Sequence, residues 1–346
     1  MENYLSIIPN LVSGFEIKRG SAVLLNFWGE NRDLVVLDKF AIEIAKVGGI
    51  PIRWQQSREL MKTYFMEVSQ EYLDFPDVYV KVFKLADVVI DIFMYSPTPQ
   101  KEFPQEKLLL YSNYIRKMFG ALIDGKAQFI QVRVPTEENA ASIGIDFEIF
   151  KEEMYSALNI DFQKLKEKTT NLVRKLDNKN RINVFTGDNY VLSFNVENRK
   201  WHKDDGTGDI PCGEIYIAPV EESAEGKILI PQVMFEGEKL FKVLLEFKEG
   251  KLVNCSSKKL FEHIKQLSGD SNKFAEFGIG LNENIRKLTG YALFDEKCAG
   301  TAHIAIGMNE LFGGKNSSQF HMDFIFIPVR IEVDGKSLME GSKLVL

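Results

Sequence analysis

Cysteine, histidine and tryptophan are scarce in this chain of 346 residues, which holds three, four and three of them respectively. Cys212, Cys255 and Cys298 are spaced neither as a disulfide framework nor as a CxxC knuckle. That excludes a cystine-stapled domain and a thiolate zinc site, and it fits a reducing compartment. No apolar run reaches the ~18 residues of a membrane-spanning helix. The stretch MENYLSIIPNLVSGFEIKRG has no basic start, continuous apolar segment or small-residue cleavage site. A cytoplasmic protein with no membrane partner is therefore expected. Runs of positive charge are missing too: Lys and Arg are scattered among acids, with a net charge of −6 and a pI near 5.5. This excludes the phosphate-binding footprint of a nucleic-acid protein. Asn26-Phe27-Trp28-Gly29-Glu30-Asn31 holds a single glycine, so the GxGxxG of a dinucleotide site is absent.

What is present fills two domains, and 45% hydrophobic residues can form two cores. An amphipathic helix over 3–15 precedes a buried strand over 21–27. Asn31 is a plausible cap for the next helix, which a Gly pair stops, and Ile50-Pro51-Ile52-Arg53-Trp54 returns to strand. A helix over 57–73, an apolar strand over 86–93, a helix over 105–123 and a strand over 128–134 continue the alternation. Strands alternating with helices imply an α/β domain with a largely parallel sheet. Lys- and Glu-rich helices over 136–178 read as a connector, so the first domain spans 1–178 and the second 179–346.

After Arg181 the texture changes. Residues 182–186 and 190–194 flank a Gly-Asp-Asn turn and read as a hairpin. Lys203-Asp204-Asp205-Gly206-Thr207-Gly208-Asp209 reads as an acidic, mobile loop. Strands over 226–232 and 241–254, a helix over 257–267 and the block 274–329 complete an α+β domain with a mainly antiparallel sheet.

The second domain holds the chemistry. Glu214, Glu276, His303, His321 and Asp323 each lie in a short apolar or glycine-bounded segment rather than on a polar helix face. An ionised carboxylate in such a setting is costly unless compensated, and a divalent cation is one compensation. In His321-Met322-Asp323 the side chains at i and i+2 share one face of a strand. Three carboxylates and two imidazoles suit a pair of divalent ions better than a structural zinc site. A lone Glu on a half-buried strand, or a hydrogen-bonded core histidine, is the competing reading at each position taken singly. His202 and His263, in a polar loop and a Lys-rich helix, are assigned no role.

Gly213-Glu214-Ile215-Tyr216 with Ala218-Pro219, Ala275-Glu276-Phe277-Gly278-Ile279-Gly280, Gly300-Thr301-Ala302-His303-Ile304-Ala305-Ile306-Gly307 and His321-Met322-Asp323 resemble, in order and approximate separation, four successive motifs of the M29 metallo-aminopeptidases, the aminopeptidase T or S group. The resemblance covers about 211–323, with a looser likeness over the N-terminal half. It implies Glu214, Glu276, His303, His321 and Asp323 as metal ligands. It further implies two divalent ions (Zn, Co, Mn or Mg), an activated water that hydrolyses N-terminal residues from short peptides, and a homodimer that encloses the site. Where the family places a tyrosine, seven residues after the third-motif histidine, this chain has Glu310. Glu310 is expected at the catalytic step, either held protonated, serving as a base, or pointing away with the step altered. The interval from His303 to His321 is short for the family. Glu296 is expected at the surface or behind a ligand rather than as one. Two alternatives stay open: a non-haem iron ring-cleaving dioxygenase on a related scaffold, using His303, His321 and Asp323, and a catalytically impaired metal- or peptide-binding homologue.

Overall fold

The computed structural model describes residues 2–100 and 102–345. Its contacts divide the chain into two units. The first runs to Asn159 and takes in Gly206–Pro211; the second comprises Ile160–Asp205 and Cys212–Leu346.

The first unit contains α1 (Glu2–Gly14), β1 (Ala22–Trp28), α2 (Leu34–Lys46), β2 (Ile50–Gln56), α3 (Arg58–Glu67), α4 (Asp77–Phe83), β3 (Val88–Phe93), α5 (Leu108–Ile123), β4 (Gln128–Arg133), α6 (Glu137–Ser142) and α7 (Phe147–Leu158). With labels running in chain order, β8 (Asp209–Ile210) also belongs here. The strands form one sheet in the order β2-β1-β3-β4-β8, and every pair is parallel. This is the α/β domain that the alternation predicts. Ser57 caps α3 by accepting from the Leu60 amide at 3.0 Å. That helix ends at Glu67 rather than near 73, because the Lys107 ammonium takes the Phe65 and Val68 carbonyls at 2.5 and 3.3 Å and closes its last turn.

Asp91 stands in the middle of the fully buried β3. Asn26 Nδ2 and Trp28 Nε1 donate to its Oδ1 at 2.7 and 2.8 Å. Burial pushes its carboxyl up to about 7, against the opposing pull of those two donors, of Gln131 and of Arg133. A carboxyl whose folded pKa lies above its unfolded value near 3.9 favours the folded state only when protonated. Its contribution therefore declines as pH rises from about 4 to about 7. Asp91→Asn is expected to flatten that decline, with a ceiling of about 4 kcal/mol at 1.36 kcal/mol per pKa unit. Urea unfolding of both proteins from pH 4.5 to 8.5 checks this, and parallel stability curves would refute it.

The second unit contains α8 (Phe162–Leu176), β5 (Arg181–Gly187), β6 (Tyr190–Asn195), β7 (His202–Asp204), β9 (Glu214–Ile217), β10 (Glu225–Phe235), β11 (Glu238–Lys248), β12 (Lys251–Cys255), α9 (Lys258–Gln266), β13 (Phe274–Gly280), α10 (Ala292–Asp295), β14 (Ala302–Gly307), β15 (His321–Phe326), β16 (Arg330–Val333), β17 (Lys336–Glu340) and β18 (Lys343–Leu344). The contacts assign α8, expected as a connector to 178, to this unit, where it packs on β7 and β9.

Two sheets form here rather than one. The larger runs β12-β11-β10-β6-β5-β16-β17-β18 and the smaller β15-β14-β13-β9-β7, with antiparallel pairing throughout. Residues 241–254, expected as one strand, are split at Glu249-Gly250. Both residues have positive φ, 49° and 71°, as do Glu236-Gly237 and Asp334-Gly335 at the neighbouring hairpin turns. Paired positive φ values twist a two-residue turn in the sense that the strands require, which makes these hairpins tight. Phe194 of β6 meets Phe274 and Phe277 of β13 at ring-centroid distances of 4.9 and 5.3 Å and joins the two sheets.

Candidate functional site

The smaller sheet carries the site on the face turned away from that aromatic contact. Glu214 lies opposite Gly280, and Gly278 lies between Tyr216 and His303. Glu276 lies opposite Ala305, which in turn faces Asp323, and Gly307 faces His321. Residues opposite one another, and their i±2 neighbours, share a face. All five sequence-predicted ligand positions therefore project together from β9, β13, β14 and β15. Strict alternation would put Phe274 on that face as well. A β-bulge between Phe274 and Glu276 prevents it, sending the phenyl ring to the core and the carboxylate to the site. The bulged backbone is held from the side: Asn309 Nδ2 donates to the Ala275 carbonyl at 3.0 Å and Asn316 Nδ2 to that of Phe274 at 2.9 Å.

The residues between the functional side chains are glycine or alanine for a steric reason. A Cβ on Gly278 would lie 2.2 Å from His303 Cε1 and 2.3 Å from Nε2. Only a bare Cα leaves room for the imidazole to lie across β13 towards Glu276 and Glu214.

Glu276 is the centre of the cluster. Its Oε1 is 3.3 Å from His303 Nε2 and its Oε2 3.5 Å from His321 Nε2. His303 Nε2 is also 3.5 Å from Glu214 Oε2, and His321 Nε2 is 3.4 Å from Asp323 Oδ1. Glu276, His321 and Asp323 each offer a donor atom within 4.8 Å of the others. Glu214, Glu276 and His303 are buried, whereas His321 and Asp323 are partly open. Burial lowers the basicity of His303, but the hydrogen bond with Glu276 and the charges of Glu214 and Glu296 outweigh it and push the imidazole up to about 9. His321 rises to about 10 against the same burial effect, driven by Asp323 and Glu276. Burial raises the Asp323 carboxyl, yet its pairing with His321 leaves it below the usual range.

This donor set fits divalent cations. Two donors each 2.0–2.2 Å from a tetrahedral ion stand about 3.4 Å apart, and the four imidazole–carboxylate distances are 3.3 to 3.5 Å. His321 Nδ1–H donates to the Met308 carbonyl at 2.8 Å. With Nδ1 committed as a donor, the proton that a cation would displace is the one on Nε2, whose lone pair would then face the ion. The excess negative charge that raises both imidazoles is the charge a cation would relieve.

Several placements depart from expectation. Asp204 and Asp205, expected in a mobile acidic loop, are buried. Asp204 ends β7, and the Thr169 hydroxyl donates to Asp205 at 2.6 Å. His202, expected in a loop, lies on β7 with its ring stacked on Tyr216 at 5.3 Å. Phe312 abuts both Tyr216 and His321 edge-on, at 5.5 and 6.1 Å. These rings form an aromatic wall beside the cluster. Of the two places expected for Glu296 the surface is not the one taken: it is buried together with Lys297, which also pairs with Glu214. Neither the burial of this lysine nor that of Asp204 had a local signal, since a DEK triplet reads as a solvated turn. Glu310 begins a single helical turn after β14 and is exposed. Among the described residues its carboxylate enters none of the bonds that join the cluster.

An α/β unit is followed by an antiparallel unit whose smaller sheet gathers a Glu/His/Asp cluster that could hold a metal ion. Residues 2–345 match the thermophilic metalloprotease family, M29, and the chain belongs to that family. The hydrolytic metallopeptidase class that the motif resemblance implies agrees with this family. Among solved structures, wild-type AmpT from Thermus thermophilus is similar with a TM-score of 0.71 and 16% identity, over 100% of this chain and 99% of that one. The 2,5-dihydroxypyridine dioxygenase from Pseudomonas putida KT2440 is similar with a TM-score of 0.65 and 12% identity, over 99% and 96%. At these identities both likenesses concern the fold alone. A comparison with curated protein sequences yields no match. No helix among the described residues is long and apolar enough to cross a membrane.

Proposed function

We propose that this metallopeptidase is a two-metal aminopeptidase that removes N-terminal residues from short peptides, as a cytoplasmic homodimer. The observation that carries the reading is the double engagement of Glu276, whose two oxygens face different imidazoles at 3.3 and 3.5 Å. Glu214, His303 and Glu276 would hold one ion, and Glu276, His321 and Asp323 the other, with Glu276 shared. Zn, Co, Mn or Mg all accept such oxygen-rich ligation. Bound ions of this kind polarise a carbonyl and make hydroxide available near neutral pH.

The chain's own residues prepare that chemistry. The bulge and the small residues of β13 and β14 set the donor spacing before any ion arrives, so little reorganisation is required on binding. The aromatic wall of His202, Tyr216 and Phe312 excludes water from one side and offers an apolar surface to the first side chain of a peptide. Glu310 is proposed as a base at the rim: a carboxylate can accept a proton, whereas next to a developing oxyanion it repels.

The dioxygenase alternative is supported by the second fold likeness. Against it stands Glu214, whose Oε2 completes a second donor group with His303 that a single-iron site does not need. Metal-stripped protein reloaded separately with Zn, Co, Mn or Fe(II) is expected to release N-terminal residues from short peptides. The His303→Ala variant is expected to release none. Absence of hydrolysis with every metal, combined with ring cleavage under Fe(II) and oxygen, would replace this reading with the alternative.

A further inference from the structure

Lys297 is a buried cation with no part in the mechanism above. Its side chain is 2% exposed, and its ammonium donates to Glu214 Oε1 and to Glu296 Oε1, the latter at 2.7 Å, with Asp204 Oδ2 at 3.5 Å. Lysine is almost never buried so completely unless paired. Here the partners come from separate parts of the unit: Asp204 ends β7, Glu214 begins β9, and Glu296 follows α10. The backbone before Lys297 is also held, since Asp295 accepts from the Thr289 and Gly290 amides, both at 2.7 Å. The lysine is thus delivered to this place by a fixed turn.

The two oxygens of Glu214 have different company. Oε1 takes the ammonium, while Oε2 stands 3.5 Å from His303 Nε2. A carboxylate held at one oxygen cannot rotate freely, and the other oxygen keeps its aim. We infer that Lys297 is a positioning residue of the metal centre: by holding Glu214 Oε1 it presents Oε2 to the ion that Glu214 shares with His303 and Glu276. The inference rests on the two-metal reading and deepens it. A lysine that merely neutralises buried carboxylates would stabilise the fold without distinguishing one metal position from the other.

The test is a cobalt(II) titration of the metal-stripped full chain, followed by visible absorption and equilibrium dialysis. Wild-type protein is expected to take up two equivalents. Lys297→Met should bind one with wild-type affinity and the second 10- to 100-fold more weakly, the loss typical when a residue orienting a metal ligand is removed. Because Lys297→Met strands buried carboxylates, the charge-matched double variant Lys297→Met/Glu296→Gln accompanies it and should show the same selective loss. Glu296→Gln alone should keep both equivalents. Wild-type affinity for both equivalents in either lysine variant, or equal weakening of both, overturns the inference. So does failure of both lysine variants to give the wild-type near-ultraviolet circular dichroism, which would make Lys297 a folding residue. Wild-type protein that binds no cobalt overturns the metal reading itself, and this inference with it.

Discussion

Replacing Glu276 by glutamine is expected to lower kcat/KM for peptide hydrolysis by at least ~10³-fold, equivalent to about 4 kcal/mol of transition-state stabilisation. The substitution preserves volume and removes one charge and one acceptor oxygen. Elsewhere in the cluster each carboxylate faces one imidazole; Glu276 alone faces both. An amide at this position must turn its NH₂ group towards one of the two, where it donates instead of accepting and cannot ligate an ion. Loss of the equivalent that the NH₂ group faces is therefore expected, with weaker binding of the other at the neutral carbonyl oxygen, whereas His321→Ala should affect only the equivalent that His321 holds. The measurement is hydrolysis of a short peptide together with metal content after dialysis. A Glu276→Gln enzyme with more than a tenth of wild-type kcat/KM would show that the shared carboxylate is not central to the reaction.

The second large effect comes from a residue without a side chain. Gly278→Ala is expected to reduce kcat/KM about 100-fold and to destabilise the fold by about 1–3 kcal/mol, the usual range for overpacking a core. A methyl at this position would lie 2.2 Å from His303 Cε1, so either the imidazole or the strand must move. Small displacements of a positioned group are costly in rate, about 10²-fold for 1 Å. Gly120→Ala is the control. It lies in α5 with nothing within 4 Å of the added Cβ, and it should stabilise by about 0.5–1 kcal/mol through helix propensity. Unfolding midpoints and peptide hydrolysis of the two variants decide the matter. Equal, small effects at both glycines would mean that the His303 ring does not need the space.

The groups with raised pKa lie in both units. The Asp91 carboxyl, pushed up by burial to about 7, belongs to the first unit and bears on folding. The imidazoles are raised by neighbouring carboxylates in the second unit.

The parts of the architecture legible in the chain were those specified locally. Alternating strand and helix periods, each with its own caps, implied the parallel sheet of the first unit. The five candidate ligand positions stood out because carboxylates and imidazoles in apolar, glycine-bounded segments are conspicuous wherever they occur. The hairpins at Glu236-Gly237 and Glu249-Gly250 were harder to locate. A glutamate forced to positive φ by the twist of its strands carries no composition signal, so 241–254 read as one strand.

Sequence by itself thus determined the fold class, the family and the candidate ligands, because each depends on residue type and short-range spacing. Tertiary structure decided how the candidate ligands meet. The bulge between Phe274 and Glu276 re-aims a carboxylate that alternation would leave beside a phenyl ring. It also decided that Lys297 is buried in contact with both Glu214 and Asp204, although Lys297 and Asp204 each follow a charged residue in the chain. Residues far apart in sequence come together there only because β7, β9 and the turn after α10 converge. The free energy of burying a charge depends on what surrounds it in space, and that surrounding is supplied by distant strands rather than by adjacent residues.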